Sequence, residues 1–371
     1  MPDSASKNSP DPFADPALRG PGIWRSLRES FGGQRRILDV AQIEISSHCP
    51  GKCVYCPHTT MRGQWKAQHM EPECFVRLWP LLLQCARVHL QGWGEPLLHP
   101  RFLDMVALVR RAEAQVSTTS CGLVMNEELA KKLVRCGLDI IAFSLTGASA
   151  GSNNKARAGV DFARVLDAIR MLQGARKEAM AVHLEVHIAY LMLAGSMEEV
   201  LLLPELMAEL GVHEAVVSTL DFIPAPSWER EAFAPEEEDK CAKARELLER
   251  AVSRARELGL ALSYALPLPR PLASCLESPE RSVFIGVQGT MSPCIYVNLP
   301  AEAPGLVRRV YGSVLREDPL DIWRKPEFAA FRAALASQEP DSACVRCPKR
   351  FALGNRSPCA QRQNSGIDRI F

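Results

Sequence analysis

No apolar run in the chain is long enough to cross a membrane, so no stretch reads as a transmembrane helix. The opening residues MPDSASKNSPDPFADP have no apolar core, and a secretory signal is not expected. An excess of charge is also missing. Lys and Arg number 44, Asp and Glu 43, and the formal net charge is +1. That balance gives no support to a nucleic-acid or polyanion partner. Without an export signal, thirteen cysteines argue for metal ligation in a reducing compartment rather than a disulfide framework. The cytoplasm is the expected location.

The sequence does have length and apolar content. At 371 residues, 47% of them hydrophobic, it can build one large domain or two ordinary ones. Three cysteines fall together in Cys49-Pro50-Gly51-Lys52-Cys53-Val54-Tyr55-Cys56. They follow the apolar stretch Val40-Ala41-Gln42-Ile43-Glu44-Ile45. A strand running into such a loop presents three thiolates from one short piece of backbone. Thiolates are the usual ligands of iron–sulfur clusters. Three of them leave one iron of a cubane without a protein ligand, which is a place for a substrate or cofactor. Structural zinc is the plainer alternative, with four ligands, and His48 or His58 could complete it.

Residues 1–36 are rich in Pro, Ser, Asp and Gly and read as a disordered or loosely attached arm. They look too short and polar for a separate peptide-binding domain. Strand-like stretches at 40–46, 87–92, 115–119, 139–145, 181–190 and 214–220 then alternate with helix-like ones at 71–85, 101–114, 126–136, 161–178 and 197–210. Six β/α units in that order imply an α/β fold with a parallel sheet, either a partial barrel or a doubly wound sheet. Ligands in both sit at the C-terminal ends of the strands, where the Cys49–Cys56 loop lies. In the fifth strand, Val182, Leu184, Val186 and Ile188 should pack on helices. His183, Glu185 and His187 should point the other way, as an internal polar network or toward a ligand.

Residues 222–258 read as a linker and a charged amphipathic helix. A second cysteine group follows. Cys275 and Cys294 flank a predicted hairpin, 282–287 and 290–297, around Gln288-Gly289. A helix is expected at 319–336, then Cys344-Val345-Arg346-Cys347. Four thiolates suit a closed cluster or zinc, and Cys359 is a fifth candidate. Cys74, Cys85, Cys121, Cys136 and Cys241 fit better as small core residues.

The C-x3-C-x2-C loop with Tyr55 before its third cysteine resembles the radical S-adenosylmethionine (SAM) superfamily. The pattern C-x13-G-x4-C followed by C-x2-C resembles its SPASM/Twitch branch. The resemblance implies a partial (β/α)6 barrel over 37–221 and an auxiliary-cluster domain over 259–371. It also implies a 4Fe–4S cluster with an open iron, held by Cys49, Cys53 and Cys56 and bound by SAM. Reductive cleavage of SAM would give a 5′-deoxyadenosyl radical that abstracts a substrate hydrogen.

Carried onto this sequence, Gly94 and Glu95 in Gln91-Gly92-Trp93-Gly94-Glu95-Pro96 would hold the methionine ammonium, although Trp93 stands where a glycine is usual. Tyr55 would lie near the adenine, Ser144 near the ribose and Arg157 near the SAM carboxylate. Ser120 is a further contact, in a segment where Cys121 replaces a common asparagine. The spacing after Cys347 departs from the seven-cysteine, two-cluster SPASM pattern. A single auxiliary 4Fe–4S cluster on Cys275, Cys294, Cys344 and Cys347 matches better, with Cys359 as a possible replacement. No catalytic residue beyond the cluster is assigned. The expected substrate is a peptide or protein, with a flavodoxin- or ferredoxin-type electron donor. The alternatives are a small-molecule dehydrogenase or epimerase of the same chemistry, and a non-catalytic iron–sulfur redox or scaffold protein.

Overall fold

A computed structural model describes residues 11–18, 36–223, 226–272, 275–301, 306–336 and 339–355. The described residues form one sheet of 11 strands. The six expected strands are β1 (Leu38–Ile43), β2 (Cys85–His89), β3 (Gln115–Ser120), β4 (Ile140–Leu145), β5 (Glu185–Met192) and β6 (Glu214–Thr219). They pair in sequence order and all parallel. Crossover helices at Phe102–Arg111, Glu127–Leu133, Phe162–Glu178 and Leu203–Leu210 cover the outer face, as parallel strands require. Their starts and stops follow local chemistry. Asn126 caps Glu127–Leu133 by accepting from Leu129 N at 2.8 Å. Gly211, at φ +63°, ends Leu203–Leu210.

The sheet does not stop at six strands. β7 (Ala261–Pro267) adds parallel to β6, and β8 (Ser282–Ile285) adds parallel to β1. Beyond β8 come β9 (Thr290–Ser292) and β10 (Gly312–Ser313), and β11 (Ala352–Asn355) covers the free edge of β7. The C-terminal segment is therefore stitched to both edges of the barrel. Gly289 makes the tight turn between β8 and β9. Its φ is +74°, and a Cβ there would lie 2.7 Å from the Cys74 sulfur, so no larger residue fits.

Five expectations shift. β5 begins at Glu185, not 181. Met180, at φ +50°, closes the preceding helix, with Ala181 N donating to Arg176 O at 2.9 Å. Val182 is thus 87% exposed instead of packed, and His183 is exposed in the turn. The helix at 319–336 divides into Pro319–Arg324 and Pro326–Ala336, because the residue before a proline favours extended backbone, as Lys325 shows at ψ 139°. The helix at 71–85 is two short ones, Pro72–Val76 and Trp79–Leu82, and residues 295–297 form a 3-10 turn rather than strand. Part of the expected loose arm is docked. Phe13 and Leu18 are buried, Phe13 lies 6.3 Å from the Phe75 ring, and Asp11 pairs with Arg101 at 2.9 Å. The rest of residues 1–35 lies outside the described residues.

Candidate active site

Past the end of β1, Glu44 is fully buried. Its carboxylate accepts the backbone N–H of Trp93 at 2.9 Å and of Val287 at 3.3 Å. It thereby ties the first strand to the loop after β2 and to the β8–β9 turn. A Cβ on Gly92 would sit 2.3 Å from Glu44 Cγ, and one on Gly94 would sit 2.3 Å from Ser46 O and 2.7 Å from His48 O. The glycines let the β2 loop lie backbone-to-backbone on the segment leading into Cys49. Glu95 N seals that contact by donating to His48 O at 2.7 Å. Trp93, in place of the usual glycine, fits because its side chain turns toward the cavity described below.

Glu95 is buried at the head of this loop. Its oxygens accept from Ser120 Oγ at 2.9 Å, Cys121 N at 2.7 Å and Leu97 N at 3.1 Å. Burial raises its pKa against these donors. The Cys121 side chain hydrogen-bonds the same carboxylate as well, so Glu95 is held from four protein groups. Ser120 also accepts from Gly122 N at 3.0 Å; it holds Glu95 rather than facing open space. Cys121 hydrogen-bonds the Cys49 side chain, a contact that its reading as a small core residue missed. That bond is the main reason the Cys49 thiol sits below its ordinary pKa, against burial.

The loop presents its sulfurs together. A Cβ on Gly51 would lie 3.6 Å from both Cys49 Sγ and Cys53 Sγ. Cys56 lines a cavity of about 220 Å³ with Tyr55, Ser144 and Arg157. The Tyr55 hydroxyl is 2.9 Å from Thr146 Oγ1 and accepts from Arg157 Nη1 at 3.3 Å. Burial opposes the charge on Arg157, but Tyr55 and Cys53 raise its pKa above the ordinary value. Its buried Nε has no hydrogen-bond partner. Gly94, Glu95 and Ser120 are not among the residues that line this cavity.

The far end of the same cavity is built by residues from β6 onward: Asp221, Phe222, Glu277, Tyr296 and Lys349. Trp93 stands between the two ends. Its ring meets Phe222 at 5.6 Å and Tyr296 at 6.0 Å, both edge-on, and its buried Nε1 has no partner. Lys349 Nζ pairs with Asp221 at 2.9 Å and Glu277 at 3.3 Å. Burial works against its charge, but Asp221, Tyr296 and Glu277 raise its pKa well above a free lysine's.

Behind this end lie the later cysteines. Cys275, Cys294 and Cys347 interact electrostatically with one another, and Cys347 with Cys344. Burial is the main cause raising all four thiol pKa values. Cys359 lies outside the described residues. Of the fifth-strand group, His187 Nε2 pairs with Glu185 at 2.9 Å, and neither they nor His183 line the cavity.

Sequence reasoning missed the far wall. Asp221 and Phe222 fall at the expected domain boundary, the latter in the expected linker, and Lys349 carries no sequence signal beyond its place two residues after Cys347. Glu44 was the legible clue: a carboxylate inside an apolar strand run is costly unless it is bonded.

Two thiolate sets on either side of one buried cavity, at the C-terminal ends of parallel strands, define an iron–sulfur protein of partial-barrel type. All-sulfur donor sets suit iron–sulfur clusters. The glycine cradle and the unpartnered Arg157 Nε and Trp93 Nε1 suit a polar ligand between them. The family model for the radical SAM superfamily matches residues 43–200, and that for the SPASM iron–sulfur cluster-binding domain matches 275–348. The chain belongs to the radical SAM superfamily of enzymes and carries a SPASM domain; its cofactors are SAM and iron–sulfur clusters.

Among curated relatives, the PqqA peptide cyclase of Gluconobacter oxydans is 25% identical over 82% of this chain and 81% of its own length. A protein of Pyrococcus furiosus, described as a tungsten-containing aldehyde ferredoxin oxidoreductase cofactor-modifying protein, is 27% identical. That match covers 28% of this chain and only 29% of the Pyrococcus protein. Among solved structures, Streptococcus suis SuiB bound to S-adenosylmethionine shares the fold at TM-score 0.62 and 15% identity, over 83% of this chain and 70% of its own. The enzyme anSMEcpe with bound AdoMet shares it at 0.61 and 15%, over 83% and 86%.

Proposed function

We propose that this enzyme is a peptide or protein maturase that abstracts a hydrogen from its substrate. The observation that carries the reading is the single cavity joining Cys56, Tyr55 and Arg157 to Glu277, Tyr296 and Lys349. Similarity to a protein named as a peptide cyclase, along most of both chains, supports a peptide as the substrate.

In this reading Cys49, Cys53 and Cys56 hold the cluster that binds SAM. When bound and reduced, that cluster supplies a 5′-deoxyadenosyl radical. The chain's own residues do the rest. Glu95, fixed by Ser120 and Cys121, offers its negative charge to the methionine ammonium. Arg157 offers its Nε to the carboxylate, Ser144 faces the ribose, and Tyr55 packs at the adenine. Trp93, Phe222 and Tyr296 exclude water from the far end, where the substrate enters. Cys275, Cys294, Cys344 and Cys347 hold one auxiliary 4Fe–4S cluster. A flavodoxin- or ferredoxin-type donor in the cytoplasm supplies the electron. No helix among the described residues is long and apolar enough to cross a membrane.

The test is anaerobic reconstitution followed by reduction with dithionite in the presence of SAM. Wild type should release 5′-deoxyadenosine, and Cys53→Ala should not. Peptide substrates deuterated at the abstracted position should pass deuterium into the 5′-deoxyadenosine. Wild type that cleaves no SAM, or labels only from small molecules, contradicts the reading.

A further inference from the structure

Lys349 is 3% exposed, in a cavity wall that also carries Asp221, Glu277 and Tyr296. Its Nζ lies 2.9 Å from Asp221 and 3.3 Å from Glu277, and 5.9 Å from the Tyr296 ring centre. The three charged groups come from distant places. Asp221 follows β6 of the barrel, Glu277 lies two residues after Cys275, and Lys349 lies two residues after Cys347. The backbones of these last two segments are joined, with Leu276 N donating to Lys349 O at 3.2 Å. Charge from this triad reaches the cysteines. Cys275 interacts with Glu277 and Lys349, Cys294 with Glu277, and Cys347 with Asp221 and Lys349.

A buried lysine without a catalytic assignment is costly to keep. This one sits where the cavity meets the auxiliary thiolates. The potential of a thiolate-ligated cluster depends on nearby charge, hydrogen bonds and exposure. In a buried setting a full positive charge acts strongly. We propose that Lys349 is a positioning charge for the auxiliary cluster: held by Asp221 and Glu277, its ammonium raises the cluster's reduction potential from the cavity side. The two carboxylates act in the opposite sense and weigh more at the cysteines themselves, so the ammonium offsets a field that would otherwise hold the potential lower still. The proposal rests on the reading of Cys275, Cys294, Cys344 and Cys347 as ligands of that cluster.

The experiment uses the full chain carrying Cys49→Ala, Cys53→Ala and Cys56→Ala, so that only the auxiliary cluster remains. After anaerobic reconstitution, iron is counted and the midpoint potential is read by redox-poised EPR. About four irons are expected. In that background, Lys349→Met should move the midpoint to more negative potential, while Lys349→Arg, which keeps the charge, should leave it near the parent. Asp221→Asn and Glu277→Gln should each move it to more positive potential. A merely structural role would give shifts of one sign, or iron loss, in all the non-conservative variants. Should Lys349→Met lose its iron, the carboxylate variants still decide by their sign. Bound iron with an unshifted potential, or shifts of a single sign, overturns the proposal. A parent that binds no iron overturns the auxiliary-cluster reading, and the proposal with it.

Discussion

The backbone N–H of Trp93 donates to Glu44 Oε1 at 2.9 Å, joining residues 49 positions apart. The other oxygen of the same carboxylate takes Val287 N. One buried side chain thus links the strand that leads to Cys49, the loop that carries Glu95, and the turn that leads to Cys294. Burial raises the Glu44 pKa to about 7, while the two backbone donors pull it down.

That pKa fixes a pH dependence. The folded value lies above the ordinary glutamate value of 4.5, so between these pH values the folded state holds more protons than the unfolded one. Stability from this group is therefore present below about pH 4.5 and lost as pH rises through about 7. Over the full window the change is about 3 kcal/mol. Glu44→Gln should flatten the dependence. Urea denaturation of both proteins between pH 5 and 8 checks it: wild type should lose stability relative to the variant as pH rises.

Glu95→Gln puts an amide where Cys121 N, Ser120 Oγ and Leu97 N all find acceptors. At least one donor loses its partner, at a cost of about 2 kcal/mol. The variant should fold with a lower melting temperature and bind SAM at least tenfold more weakly. Calorimetric titration with SAM reads the second effect separately from the first. Unchanged affinity would remove Glu95 from the SAM site.

Gly94→Ala should be more damaging than a typical surface change. Its Cβ would fall 2.3 Å from Ser46 O, and backbone cannot retreat as a flexible side chain can. The expected cost is about 3 kcal/mol. Iron retention at the Cys49–Cys56 loop should fall with it, and iron assay on the purified variant shows whether it does.

Trp93→Gly restores the residue usual in the family at this position. It removes the contacts to Phe222 and Tyr296 and should cost about 3 kcal/mol. It also opens the waist of the cavity. Release of 5′-deoxyadenosine without substrate should persist, while its coupling to substrate turnover should fall. Comparing 5′-deoxyadenosine with product by mass spectrometry tests this.

Iron counts separate the two thiolate sets. Wild type should hold about eight irons and Cys294→Ala about four. Cys344 interacts with Cys347, and Cys359 lies outside the described residues. Comparing Cys344→Ala with Cys359→Ala therefore identifies the fourth ligand as whichever variant loses the auxiliary iron.

The barrel strands were legible because each is an apolar run bounded by turn residues, and the cysteine sets because spacing alone specifies them. Residues such as Tyr55, Ser144 and Arg157 were placed by motif, and they do meet at one cavity. The rest was hidden for physical reasons. Val182 reads as strand by composition, but a left-handed residue two positions earlier turns the chain outward. Ser120 and Glu95 looked like independent contacts, yet a hydrogen bond makes them one unit. Lys349, Asp221 and Glu277 meet only after more than a hundred residues of chain have folded back, and no local pattern announces a pairing of that kind.

The pairing of β8 with β1 has a consequence for the spacing of the two cysteine regions. The strand that delivers the first cysteine loop and the strand that begins the second cysteine region are immediate neighbours, locked in register by main-chain hydrogen bonds that no side-chain change disturbs. The separation of the two metal sites is thus set like the teeth of a gear. Substitutions in the loops around the cavity should therefore leave the reach between the two cysteine regions unchanged.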